Sequence, residues 1–197
     1  MKRFRPLLFL AALVLFSCGA VAAQSQEEVK TYLVQTEPLL VKFRQNVGEF
    51  LPKVQGLREK GDLIGLKQTA DEFSQRWEGM MGELDKIQPP QEASEYHQAM
   101  RSLLELQKES NDIMSETLGH HIGVLLEARK MKEAGSSEEE IQAFKDANKQ
   151  DKEKIIKRTS AVKAATQEAD STLKSERKRL LTLIGENGEK PEEEPQK

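Results

Sequence analysis

The chain has one cysteine, which excludes a disulfide framework and a cysteine-based zinc site. Aromatic residues make up only 5% of it. Runs of valine, isoleucine and threonine are scarce, which argues against a β-sandwich or barrel. Beyond the N-terminus no apolar run approaches the ~18 residues of a membrane span. Gly-x-Ser-x-Gly, a phosphate-cradling glycine loop, His-Glu-x-x-His and Cys-x-x-Cys-His are all missing, so hydrolase, nucleotide, zincin and haem-attachment signatures drop out. What remains is charge, 32% of 197 residues, arranged around a regular apolar pattern.

The first 23 residues read as an export signal. Lys2, Arg3 and Arg5 precede an apolar run from Pro6 to Phe16, and small residues continue to Ala23. A charged start, a short apolar core and a small-residue exit make a secretory leader, too short for a permanent span. Cleavage after Ala22 or Ala23 is one outcome. The other is a lipoprotein signal, because Leu15-Phe16-Ser17-Cys18 resembles a lipobox and would leave Cys18 as a lipidated first residue. Removing residues 1–22 takes away three cations, leaving a net charge of −6. Residues 145–184 hold 11 cations against 6 anions, and a basic stretch in an acidic exported protein suggests a partner or anionic surface rather than nucleic acid.

Apolar residues recur at steps of three and four through nearly all of the rest, the mark of helices burying one stripe. The first segment spans about 25–59 and contains Pro38 and Pro52, so a kink or interruption is expected near one of them. Gly61-Asp62 should end it and cap the next segment. The second carries Leu66, Ala70, Phe73, Trp77, Met80 and Leu84 in unbroken phase up to Ile87, and Pro89-Pro90 stops it. A third runs from about 90 to 134. Gly135 ends it, and Ser137 with Glu140 forms a capping box for a fourth, 138–184. From Gly185 the periodicity disappears, and residues 185–197 read as a disordered acidic tail. The expected fold is all-α: an antiparallel up-down-up-down four-helix bundle over residues 24–184. Its third and fourth helices, approaching ~65–70 Å, outrun the second and project as a helical hairpin.

Candidate sites are few. Gln107, Ser110 and Asn111 form a polar belt across the third stripe, either a register-fixing hydrogen-bond layer or a small-ligand site. Lys174, Arg177, Lys178 and Arg179 form a candidate interaction surface on the basic fourth segment. His97 and His121 lie too far apart on one helix to share a site. Glu116 and His120, four apart, could be two metal ligands, but no Glu-x-x-His of the kind a di-iron bundle needs occurs, and the stripes of the first two helices contain no acid. Haem ligated by His97 or His121 with a methionine is the remaining cofactor option, and core methionines are more often gap-fillers. Gly79, Gly82, Gly119 and Gly123 fall off the core stripe, where another helix could approach closely. No catalytic residue, cofactor or metal is therefore assigned. The expectation is a non-catalytic exported envelope protein, periplasmic, secreted or anchored by a lipid, that binds a protein or envelope component. A ligand-binding bundle and a holdase-type chaperone are the alternatives.

Overall fold

A computed structural model describes the backbone of residues 6–150 and 152–186 and the side chains from Ser25 onward within those limits. The side chains of the expected leader, Cys18 among them, and residues 187–197 of the expected tail lie outside the described residues. Within these limits the protein is all-helical: α1 (Pro6–Glu59), α2 (Leu63–Leu84), a 3₁₀ turn (Gln91–Ala93), α3 (Ser94–Glu133), α4 (Glu138–Ala147) and α5 (Lys152–Leu183). No helix among the described residues is long and apolar enough to cross a membrane.

The helix ends follow local chemistry. Gly61 takes φ +65°, which glycine alone adopts without strain, and the Asp62 carboxylate accepts from the Gly65 amide at 2.8 Å. Gly135 takes φ +84°, and Ser137 and Glu140 complete a reciprocal capping box at the start of α4. The helix α2 closes at Leu84, three residues short of the last stripe residue Ile87. The chain then turns into the extended Pro90 and the 3₁₀ turn that precedes α3.

Two expectations need correction. The first segment is not interrupted at either proline: it continues as helix through Pro38 and Pro52. Both prolines are exposed, so water reaches the carbonyls that lose a partner, and packing of the opposite face holds the helix together. The fourth segment is not one elongated helix but two: α4 ends at Ala147, and α5 begins at Lys152. The break falls at Asn148, the C-cap of α4, whose backbone N–H and side-chain amide both donate to the Phe144 carbonyl, at 3.1 and 2.8 Å. Few apolar residues between 148 and 158 resist it.

The apolar stripes meet in one core. Val29, Tyr32, Leu39 and Leu40 of α1 join Phe73, Trp77, Met80 and Leu84 of α2. Tyr96, Met100, Leu103 and Leu104 of α3 and Leu173 and Leu180 of α5 complete it. Trp77 is 2% exposed and lies 5.4 Å from the Phe43 ring, centroid to centroid. Packing is closest between α2 and α3 and between α3 and α5, with α1 on α2 and α4 on α3. Ion pairs give the register of α1 on α2, since Lys42–Glu83, Arg76–Glu49 and Lys53–Glu72 pair rising numbers with falling ones.

Candidate functional surface

The contact between α2 and α3 is pinned by two copies of one short pattern. Asp71-Glu72-Phe73-Ser74 and Asp112-Ile113-Met114-Ser115 each place an aspartate and a serine one turn apart on one helix face. With the numbers running in opposite order, each serine donates to the other helix's aspartate: Ser74 to Asp112 at 2.5 Å, and Ser115 to Asp71. Lys67 and Lys108 close the ends of this ladder at 2.6 and 2.9 Å. Hydrogen bonds from Lys67 and then Ser115 hold the Asp71 carboxyl below its usual range. Burial pushes Asp112 up, but the bonds from Ser74 and Lys108 outweigh it, and the net shift is downward. The ladder is a register device that sequence reading missed, although the repeated Asp-x-x-Ser was there to find.

The expected polar belt is not one layer. Asn111 is buried, Gln107 half-buried and Ser110 exposed. A pocket in the core has a volume of about 10 Å³ and is lined by Leu39, Leu40, Phe43, Met80, Met100, Leu103, Leu104 and Leu173. That is room for one water at most, with no polar group to hold it.

The basic cluster is largely occupied with the fold. Arg177 donates to Glu37 of α1 at 2.7 Å. Arg179 pairs with Glu176 at 2.7 Å and donates to the Glu92 carbonyl, in the 3₁₀ turn, at 2.5 Å. Lys174 pairs with Asp170 at 3.0 Å, and Lys178 is exposed. These residues tie the end of α5 to α1 and to the start of α3. Ser25 joins them by donating to Glu92 at 2.5 Å, which holds that carboxyl low.

Nearby, the Tyr32 hydroxyl lies 3.0 Å from His97 Nδ1 and the Tyr32 and Tyr96 rings cross edge to face. Burial raises the Tyr32 hydroxyl well above its ordinary value and Tyr96 to about 12, and partial burial lowers His97. The Tyr32 ring also lies 6.1 Å from the His97 ring, so the three side chains pack α1 against α3. The other histidines are spread out. His120 meets the Asn148 carbonyl at 2.7 Å, at the α4–α5 break. Glu116 accepts from Arg158 at 2.9 Å, and His121 is exposed. Among the described residues no group of three His, Cys, Asp or Glu side chains is placed to hold a metal ion.

Towards the far end of α3, Gly119 faces the Lys67 side chain of α2, while nothing lies within 4 Å of where a Cβ would stand at Gly79, Gly82 or Gly123. Ala128 and Ile141 are buried between α3 and α4, and Leu125 and Leu126 remain 42% and 55% exposed. No known protein family, curated protein or solved structure matches the chain.

Proposed function

We propose that this is a non-catalytic, exported interaction module of the cell envelope. Its helices would be arranged up-down-up-down, with the end of α3 and α4 projecting as a two-helix arm that binds another macromolecule. The observation that carries the reading is a core pocket of only about 10 Å³ lined by apolar side chains, beside two leucines left exposed on the arm. A core pocket of that size does not admit a small-molecule ligand, which turns attention to the surface. The leader supports export, and the lipobox resemblance at Cys18 supports a membrane anchor. Because Arg177 and Arg179 are tied into the fold, the arm replaces the basic cluster as the first candidate surface.

The test compares capture of envelope components by the wild type and by a Leu125→Asp/Leu126→Asp variant. Loss of a specific partner with unchanged helicity supports the reading, and capture that survives the substitution refutes it. The exposed leucines also suit a holdase chaperone. Suppression of aggregation of a denatured client, lost in the same variant, would separate that reading from binding to one specific partner.

A further inference from the structure

The outer face of α1 carries a seam without charge. Val34, Pro38, Val41, Gln45, Gly48 and Pro52 follow one another at alternating steps of four and three, and all six are exposed. Val34 is 67% and Val41 43% exposed, and a Cβ at Gly48 would meet nothing within 4 Å. Thr36, Phe43 and Phe50, seven apart, turn into the core from the opposite side, so the phase of the seam is fixed by packing. The charged residues of α1 between positions 34 and 52 are Glu37, Lys42, Arg44 and Glu49. All of them flank the seam and none is on it. In a chain with 32% charged residues, an outward helical row six positions long without one is a face prepared for contact. Pro38 and Pro52 also withhold the N–H groups that would pair with the Val34 and Gly48 carbonyls. Unpaired acceptors therefore open onto the same row, where the Gln45 amide is a donor of the kind they need.

We infer that a second copy of this chain docks along this seam, with the two α1 helices parallel and in register. The pattern is that of a two-stranded coiled coil: Pro38, Gln45 and Pro52 take one seam position of the heptad and Val34, Val41 and Gly48 the other. The flanking charges select the orientation. In a parallel pair the residue just before each heptad faces the residue five further along on the other helix. Glu37 then faces Lys42 of the second copy, Arg44 faces Glu49 of the second copy, and both pairs are opposite in sign. Reversing one helix sets Arg44 close to Arg44 of the second copy, which is unfavourable. Glu37, Lys42 and Glu49 already pair within the chain with Arg177, Glu83 and Arg76. A carboxylate has two oxygens and an ammonium three donors, so each can take a second partner.

The seam is short. Its ~27 Å length and single-helix width give on the order of 300 Å² per copy, well under the ~800 Å² of a standard interface. The dimer is therefore weak and concentration-dependent.

The test uses the full chain expressed with its own leader, sedimented from about 10 µM to about 1 mM, where so small an interface associates. Dimerisation is expected, with Val41→Lys weakening it about tenfold or more and leaving helicity unchanged. Because no cysteine follows residue 18, single cysteines report the orientation against the wild type as control. Val34→Cys and Val41→Cys should each form a disulfide-linked dimer on mild oxidation. A monomer throughout the range overturns the inference, as does cross-linking at Val41→Cys without Val34→Cys, the mark of helices reversed about position 43, which sets the two copies of residue 34 ~27 Å apart. Loss of the arm's partner would leave these results unchanged, so the two readings fail separately.

Discussion

Replacing Phe73 with alanine is the sharpest probe of what holds the helices together. Phe73 is fully buried on α2, with the Phe50 ring 5.0 Å away at 62° and the Arg76 guanidinium 4.4 Å above its face. Truncating a buried phenylalanine costs about 3–5 kcal/mol, the lost transfer energy plus the cavity left behind. The ring contacts account for about 0.5–1.5 kcal/mol of it, so Phe73→Leu, which keeps most of the volume, should cost about 1–2 kcal/mol. Leu51, 64% exposed on α1, is the control: Leu51→Ala should stay within about 0.5 kcal/mol. Domains of this kind have about 5–15 kcal/mol in total, so the alanine variant loses a large share. The assay is urea unfolding followed by far-ultraviolet circular dichroism. With a slope of about 2 kcal/mol per molar, Phe73→Ala should move the midpoint down by about 2 M. A shift under about 0.5 M at unchanged slope would refute the packing argument, since a core residue would then behave like an exposed one.

Three further outcomes follow from named contacts. Burial lowers the His97 pKa below its ordinary 6.5, so the unfolded chain takes up the proton first and stability falls as pH drops below about 6.5. His97→Gln should flatten the melting temperature between about pH 7 and pH 5. Asp71 and Asp112, both held low, add their loss only at more acid pH, as they become protonated in the folded state. Ser74→Ala should cost about 1.5–3 kcal/mol through the bond to a charged partner. A double-mutant cycle with Asp112→Asn should show coupling, whereas additive effects would deny the ladder its role. Gly79→Ala, in open helical space, should stabilise by up to about 1 kcal/mol. Gly61→Ala, at φ +65°, should destabilise by about as much. Thermal melts check both.

Much of the local structure was legible because it depends on neighbours in sequence. The Gly61–Asp62 junction and the Ser137–Glu140 box are set by residues within one turn, and each appears where its chemistry puts it. The all-helical character follows from the stripes in the same way. Tertiary balance was harder to read. Proline reads as a helix breaker, yet Pro38 and Pro52 face water on a helix held by its other side. Asn148 reads as one weak position in a stripe, but it caps the end of α4 with two bonds to the Phe144 carbonyl, and the thin apolar stripe beyond it does not carry the helix on. The charges were misjudged for a related reason. Composition marked α5 as basic, but only spatial pairing shows Arg177 and Arg179 bonded to Glu37 and Glu92. The unusual face was one defined by missing charge, on α1, and a count of charges along the sequence does not reveal it.

Native mass spectrometry of the protein purified without unfolding tests most directly whether the interior is filled and the surface does the work. The mass should be that of the processed chain, or twice that mass at high concentration, with at most an N-terminal lipid added. An additional bound molecule or metal ion that is released on unfolding, and is absent from Asn111→Leu or His97→Gln, would mean that the core holds a ligand and that the proposed function is wrong.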